Sequence, residues 1–345
     1  MKAMTTPPLI DDLYLPIAPV GLMPKGIERM AAQARPLETR AGVTYFEIDC
    51  RSALNRCANP QMLFAWTLNP YRGCEFGCKY CYARYTHAYM GMTDGRDFER
   101  KIYVKRNMAA RLAEELDQRK DHGLPIALGT STDPYQPAEK RYRVTREILA
   151  VLLRYRGLNF SITTKSALIM RDLDLLCPLN LHHRLRINVS LITVNPTLAR
   201  RLEPRASTPD RRLKAVKALS YAGLKVSVFI APILPGLTDH PLGLERVIAR
   251  AVESGASSIG ASLLFLMPSA RKQFFPALAE DFPELLGRYQ QLYARSAYVS
   301  SEHKEKIMRM VERLRQKHGL TRREAPSPIP PLFDAGQASF HFAIA

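Results

Sequence analysis

Six short apolar runs, rich in β-branched residues, alternate with helix-like segments through the middle of the chain. The runs lie at residues 62–68, 125–131, 159–165, 185–193, 224–234 and 257–267. Apolar runs of this length are typical of strands buried on both faces, and strands separated by helices form parallel sheets. The alternation predicts an α/β fold, a partial barrel of six β/α units, with an open doubly wound sheet as the second possibility.

Glycines and prolines punctuate the helices between these runs. Four glycines each stand between a helical segment and the next strand, where a left-handed residue ends a helix: Gly123, Gly157, Gly223 and Gly255. Three prolines follow a residue that can cap a helix, which is typical of a first helical turn: Pro196, Pro209 and Pro241. These signals predict where the helices begin and end.

The pattern divides the chain of 345 residues into three parts. Residues 1–60 have little periodicity and predict an N-terminal extension of short elements packed on the core. Residues 61–290 form the β/α core domain. Residues 291–345 contain a basic helix, with Ile307, Met310, Val311 and Leu314 on one face, and a proline-rich tail expected to be loose. A helix that covers the core is favoured over a dedicated nucleic-acid element.

The charge is strongly positive, with 50 Lys and Arg against 32 Asp and Glu, a net charge of +18 and a pI of about 9.8. This balance favours an anionic partner such as nucleic acid, although a generally basic solvated surface would give the same count. No apolar run is long enough to span a bilayer, and the first residues lack a secretory signal. We therefore expect a cytoplasmic protein without a membrane partner.

Three closely spaced cysteines, Cys74, Cys78 and Cys81, follow the first strand, at the edge of a parallel sheet where ligands collect. Thiolates bind zinc or iron–sulfur clusters, but both usually take four protein ligands. His87 is more typical of a helix-packing residue, and Cys50, Cys57 and Cys177 of small buried side chains. A cluster held by three thiolates would keep one iron open.

The motif Cys74-x-x-x-Cys78-x-x-Cys81, with Tyr80 before the last cysteine, resembles the radical S-adenosylmethionine superfamily. The stretches "NPYRGCEFGCKYCYAR", "GTSTDPYQPAE", "TTKS" and "LEPRASTP" are similar to its spore photoproduct lyase-like branch, often labelled DNA repair photolyases. The resemblance covers roughly residues 62–290.

This resemblance implies a radical S-adenosylmethionine enzyme with a [4Fe-4S] cluster on the three cysteines. It implies that the methionine part of S-adenosylmethionine chelates the open iron and that reductive cleavage gives a 5′-deoxyadenosyl radical, which abstracts hydrogen from a substrate. A reducing electron donor such as flavodoxin or ferredoxin is implied as a partner. The substrate and any catalytic side chain stay unassigned, with nucleic acid the favoured substrate.

The strand ends supply residues for the cofactor, which carries an ammonium and a carboxylate group. Ser131 and Asp133 offer acceptors and Lys165 offers a cation. The resemblance supports Lys165 and Ser131 as carboxylate ligands. It implies that Ser190 reaches the carboxylate or the ribose and that Tyr80 and Tyr82 flank the adenine. Each has a simpler alternative: Asp133 as a turn cap, Lys165 as an exposed lysine, Ser190 as a small core residue.

Two departures limit the likeness to the lyase. Its second-strand loop carries a cysteine that returns hydrogen to the product, whereas residues 125–137 contain none and Thr130 stands near that place. The glycine-rich acidic motif of other members is replaced by "STD". Radical modification of a peptide or small metabolite is therefore an alternative, and a nucleic-acid-binding protein with a purely structural metal is a second.

Overall fold

Two β-sheets organise the computed structural model, which describes residues 26–59, 62–119 and 123–320. Every strand in these ranges belongs to one of the two sheets. The strands are β1 Arg35–Arg40, β2 Val43–Ile48, β3 Leu54–Arg56, β4 Trp66–Leu68, β5 Tyr71–Arg72, β6 Lys101–Lys105, β7 Ile126–Leu128, β8 Asn159–Thr164, β9 Arg184–Ser190, β10 Val226–Ile233 and β11 Ser258–Leu263.

The larger sheet has the order β11-β10-β9-β8-β7-β4-β3. Its first six strands run parallel, and β3 joins β4 antiparallel at the edge. In the described ranges β11 and β3 do not pair with each other, so the sheet is open rather than a closed barrel. The predicted α/β fold with six parallel strands is confirmed.

Helices connect most of the strands, and those whose side chains join the main core cover one face of this sheet. The helices of the described ranges are α1 Gly26–Ala32, α2 Tyr85–Ala88, α3 Asp97–Arg100, α4 Met108–Asp117, α5 Glu139–Tyr142, α6 Val144–Leu152, α7 Leu173–His182, α8 Pro196–Leu202, α9 Pro209–Tyr221, α10 Pro241–Glu253, α11 Pro268–Asp281, α12 Pro283–Leu292 and α13 Ser301–Lys317. Short 3₁₀ helices span Tyr82–Arg84 and Ala167–Asp172.

The predicted helix boundaries follow from local chemistry. Pro196, Pro209 and Pro241 each stand in the first turn of a helix, where the missing N–H costs no hydrogen bond. The Asn195 side chain accepts hydrogen bonds at the start of α8, as Thr208 does for α9. Three of the four glycines have positive φ angles between 71° and 85°: Gly157, Gly223 and Gly255.

The two faces of the large sheet differ in chemistry. The side chains of Ile162, Ile187 and Val189 are fully buried and join one core cluster with helix residues such as Leu213 and Val216. The alternate positions of the same strands carry serine, threonine, asparagine and arginine. Because successive side chains of a strand point to opposite faces, the face that is not covered by the helices is polar.

A smaller sheet with the order β1-β2-β6-β5 lies beside the core. It takes strands from both sides of residue 60, since β2 pairs with β6 in parallel and β6 pairs with β5 antiparallel. The Tyr45 hydroxyl of β2 donates to the Glu75 carboxylate at 2.9 Å, which ties this sheet to the loop that carries Cys74, Cys78 and Cys81, called the cysteine loop. The proposed division of the chain at residues 60 and 290 stays a prediction.

Helix α13 packs against α10 and β11. Ile307 and Val311 are buried, and Met310 and Leu314 pack on the same core. This contact is the one expected of a helix that covers the core. The N-terminal residues 1–25 and the proline-rich tail lie outside the described residues. Among the helices described, none has the length and apolar character needed to cross a membrane.

We predict that the buried His183 makes the folded protein less stable at acidic pH. The Leu158 N–H donates to its Nδ1 at 3.2 Å, and its Nε2 lies 3.1 Å from the Leu152 carbonyl oxygen, a pattern that only a neutral ring satisfies. Burial lowers the pKa of His183 to about 4, from an ordinary value of 6.5. Because the folded pKa is depressed, stability present above pH 6.5 is lost as the pH falls towards 4.

We expect the free energy of unfolding to fall by up to about 1.4 kcal/mol per pH unit through this one group. In His183→Phe the dependence of urea unfolding on pH between 6.5 and 4.5, followed by circular dichroism, should be shallower. His182→Phe changes the exposed neighbour and is the matched control. Equal slopes in wild type and His183→Phe would contradict the assignment.

Candidate active site at the cysteine loop

The loop that carries the three cysteines begins at a position that only glycine fits. Gly73 has φ of 80°, and a Cβ there would lie 2.7 Å from the Phe98 carbonyl oxygen. The next N–H, that of Cys74, donates to the same oxygen at 2.9 Å. Further along, the buried Arg84 guanidinium donates to the Cys78 carbonyl at 3.0 Å. These contacts fix the backbone around the thiols.

The loop after β7 holds the cysteine loop from one side. The Thr132 hydroxyl and the Gln136 amide both donate to the Gly73 carbonyl, at 2.6 and 3.1 Å. The Glu75 N–H donates to the Gln136 side-chain oxygen at 3.0 Å, and the Glu75 carboxylate accepts from the Ala138 N–H at 2.7 Å. All of these side chains are buried, so the bonds form away from competing water.

Residues 202–205 hold the loop from the other side. The Lys79 N–H donates to the Leu202 carbonyl at 2.9 Å, and the Arg205 N–H donates to the Phe76 carbonyl at 3.2 Å. The Tyr80 hydroxyl donates to the Glu203 carboxylate. We call residues 202–205 the clasp, because they bond to the cysteine loop at three positions.

A buried ion pair anchors the clasp. The Arg212 guanidinium lies 2.5 Å from the Glu203 carboxylate, and both side chains are at most 1% exposed. Arg212 also donates to the carbonyls of Ser190 and Ser207, at 3.0 and 2.7 Å. Burial raises the pKa of Glu203, but the charges of Arg212 and Lys165 outweigh it and hold that pKa below its usual value.

The three thiols are free and enclosed. Cys74 and Cys78 are 9% and 8% exposed, and Cys81 is half-buried. Burial raises the pKa of all three, that of Cys78 to about 12, while the positive charge of Lys165 acts against the rise at Cys78 and Cys81. Across the described ranges no three His, Cys, Asp or Glu side chains converge on one ion. A four-iron cluster instead takes each thiolate at a different iron.

Lys165 places a cation beside this loop. Its Nζ lies 5.9 Å from the centre of the Tyr80 ring, and in the part of the chain that the structure describes this side-chain amine makes no hydrogen bond or ion pair. Burial lowers the pKa of Lys165, but attraction to Cys78 and Glu203 outweighs it and raises the pKa above the usual value. The lysine is half-buried rather than the freely exposed residue of the simpler alternative.

Asp133 joins the ends of two strands. Its Oδ1 accepts from the Thr164 hydroxyl at 2.7 Å and from the Tyr135 N–H at 2.9 Å, and its Oδ2 accepts from the Lys165 N–H at 2.7 Å. These bonds are those of a turn cap extended to strand β8. Asp133 therefore supports the backbone of Lys165. A direct contact between Asp133 and S-adenosylmethionine stays a prediction.

The remaining predicted residues lie around the same strand ends. Ser190 is buried, and its hydroxyl donates to the Ala231 carbonyl at 3.2 Å. The Tyr82 ring is 39% exposed, and its hydroxyl donates to the Thr130 carbonyl. Ser131 is half-buried, and its N–H donates to the Asn69 side chain at 2.8 Å. Their predicted roles towards the cofactor stay predictions.

Several residues that shape the site were missed from the sequence. Glu203 lies within the quoted stretch "LEPRASTP", but nothing in its spacing connects it to Arg212. Asn69 is the first residue of the quoted stretch "NPYRGCEFGCKYCYAR", but nothing in that stretch indicates that its side chain accepts from the N–H groups of Thr130 and Ser131. His87, in contrast, has the packing role that the sequence predicts, because its ring contacts the rings of Phe98 and Tyr103.

The comparisons with known proteins agree with this geometry. A family model described as the Radical SAM superfamily matches residues 68–244. An uncharacterized protein of Mycobacterium tuberculosis is 38% identical over 92% of both chains. Another, of Methanocaldococcus jannaschii, is 29% identical over 64% of this chain and 77% of its own.

Solved structures of spore photoproduct lyase share the fold. The lyase complexed with dinucleoside spore photoproduct has a TM-score of 0.60 at 16% identity, covering 83% of this chain and 84% of its own. A mutant with bound AdoMet and the same dinucleoside has a TM-score of 0.58 at 16% identity, covering 84% and 86%. At this identity the likeness concerns the fold alone.

Proposed function

The chain belongs to the radical S-adenosylmethionine superfamily, whose enzymes use a [4Fe-4S] cluster and S-adenosylmethionine, and we propose that Cys74, Cys78 and Cys81 hold the cluster in this enzyme. The observation that carries the proposal is the set of three free, enclosed thiols on one loop that is bonded from two sides. Three soft ligands without a fourth suit a cluster with one open iron. The alternative of a binding protein with a structural metal is not retained.

The chain's own residues would bind and orient the cofactor. When bound, the reduced cluster and S-adenosylmethionine supply one-electron chemistry that removes a hydrogen atom from a substrate. Lys165 offers an unpaired cation for the carboxylate group, and Asp133 holds the backbone of that lysine. Ser190 at the end of β9 and Ser131 after β7 offer hydroxyls on either side of β8, the strand that leads to Lys165. Tyr80, fixed by Glu203, and the exposed ring of Tyr82 would enclose the adenine.

Anaerobic reconstitution tests this function. The reconstituted protein should hold iron and sulfide, and with dithionite and S-adenosylmethionine it should release 5′-deoxyadenosine. A protein that instead holds zinc, or a cluster whose spectrum does not respond to S-adenosylmethionine, would refute the proposal. The natural reductant we propose is a flavodoxin or ferredoxin, which should replace dithionite in the same assay.

Lys165→Met should weaken the binding of S-adenosylmethionine by about 10- to 100-fold, because a hydrogen bond to a charged group contributes about 1.5–3 kcal/mol. The iron content should not change, since Lys165 makes no hydrogen bond that supports the loop. Binding is measured as the change in the electron paramagnetic resonance spectrum of the reduced cluster on titration. Lys225→Met alters an exposed lysine and is the control. An unchanged affinity would remove Lys165 from the site.

We propose nucleic acid as the substrate. The net charge of +18 supports an anionic partner, and the fold is that of a lyase whose solved structure holds a dinucleoside. The missing lyase cysteine in residues 125–137 argues against repair of that same lesion. A base within a duplex would need to be flipped out to reach the strand ends.

Salt dependence distinguishes this substrate class from a peptide or small metabolite. For duplex DNA the logarithm of the binding constant should fall linearly with the logarithm of salt concentration, with a slope of about −0.9 per phosphate contacted. Fluorescence anisotropy of a labelled duplex between 50 and 300 mM KCl measures the slope. Weak binding without salt dependence would favour the peptide or metabolite alternative.

We also propose a cytoplasmic location. All six cysteines are free in the structure, and free thiols and an oxygen-sensitive cluster suit a reducing compartment. Cell fractionation with an antibody against the chain would test this, and recovery in an oxidising compartment would contradict it.

A further inference from the structure

Four polar side chains form a continuous row across the face of the large sheet that the helices do not cover. The strand register places Asn188 of β9 beside Thr163 of β8 and Ser227 of β10, and Ser227 beside Ser258 of β11. We call these residues the polar row. The same faces of β8 and β9 carry Lys165 and Ser190 two residues further on, so the row lies about 7 Å along the strands from the proposed cofactor residues.

The polar row contains a buried acceptor without a partner. The Asn188 amide donates to the Thr163 hydroxyl at 3.2 Å, and the hydroxyls of Ser227 and Ser258 bond to each other at 2.6 Å. The Asn188 Oδ1 is buried and, within the described residues, accepts no hydrogen bond. Asn188 is only 3% exposed, so an unsatisfied acceptor there carries a desolvation cost unless a bound group donates to it.

A flat apolar surface adjoins the row on the side of the proposed cofactor. Phe229 lies two residues beyond Ser227 on the same face of β10, and it pairs in register with Gly260. A Cβ at residue 260 would lie 2.8 Å from two carbons of the Phe229 ring, so glycine leaves the space that the ring occupies. The ring is half-buried, so part of its surface is accessible.

We propose that the polar row and Phe229 form the substrate site and bind a nucleobase. A nucleobase is a planar ring with a polar edge, which suits an aromatic surface next to a row of hydrogen-bonding side chains. Every nucleobase carries an N–H donor that could meet the Asn188 Oδ1. The net charge of +18 favours a ligand with phosphates over a peptide. This inference rests on the proposed function and gives it a substrate class and a location.

Binding of single-stranded tetranucleotides to the reconstituted protein tests the site. Equilibrium dialysis with the four homotetranucleotides, in the presence of S-adenosylmethionine, should show binding of at least one. Asn188→Leu should weaken it at least about tenfold, because one buried hydrogen bond is lost. Ser227→Ala should weaken tetranucleotide binding to a smaller extent. This variant provides a second test if Asn188→Leu does not fold. Asn180→Leu alters an asparagine on α7, away from the row, and should bind as wild type.

The iron content and the affinity for S-adenosylmethionine are measured on the same samples. The inference is overturned if they are normal and no tetranucleotide binds, or if Asn188→Leu and Ser227→Ala bind as wild type. It is also overturned if peptides from a tripeptide mixture bind instead and their binding depends on Asn188. A wild-type protein that holds no cluster, or that does not bind S-adenosylmethionine, would instead refute the proposed function.

Discussion

Cys78→Ala should yield a folded protein that cannot hold the cluster. Cys78 is one of three thiols on the loop, and no fourth cysteine follows within it, so the variant keeps two ligands for a cluster that needs three. We expect the iron content after reconstitution to fall below about a tenth of the wild-type value and the release of 5′-deoxyadenosine to disappear. Iron and sulfide analysis, with the visible absorbance of the cluster, measures the change.

Cys177→Ala provides the matched control for this loss. Cys177 is half-buried on α7, and its Sγ lies 4.0 Å from the Ala222 carbonyl oxygen, remote in sequence from the cysteine loop. Its replacement should leave iron content and activity unchanged. Retention of a full cluster in Cys78→Ala would show that another residue supplies the ligand and would contradict the three-cysteine site.

Arg212→Met should destabilise the protein by about 3–5 kcal/mol, because it leaves the Glu203 carboxylate buried without its main partner. Arg212 also donates to the carbonyls of Ser190 and Ser207, which would lose these bonds. The clasp would then hold Tyr80 less firmly, and the cluster should be lost on storage faster than in the wild type. Thermal unfolding by circular dichroism and iron content over time measure the two effects.

A double-mutant cycle separates the ion pair from general disruption. The cycle compares Glu203→Gln, Arg212→Met and the double variant, and we expect the double variant, which lacks both charges, to be more stable than Arg212→Met alone. Arg211→Met changes the exposed neighbour on α9 and should leave stability within about 0.5 kcal/mol of wild type. If Arg212→Met unfolds at the wild-type temperature, the buried pair does not support the loop.

The sequence determined the layout of the β/α core because its signals are local. The apolar runs at 159–165 and 185–193 became β8 and β9, since β-branched residues favour a pleated buried surface. Prolines behind capping residues started α8 and α9 where predicted. The smaller sheet was not predicted, because β1 and β2 are half-exposed and lack a continuous apolar run.

The sequence by itself determined the three cysteines, their spacing and the strand-end position of Lys165, since each depends on residues close together in the chain. Only the tertiary structure decided that Arg212 neutralises Glu203 beneath Tyr80 and that Asn188, Ser227 and Ser258 share one row. These relations join residues that are far apart in sequence or on different strands. These relations depend on strand register and on burial. Neither can be read from the spacing of residue types along the chain.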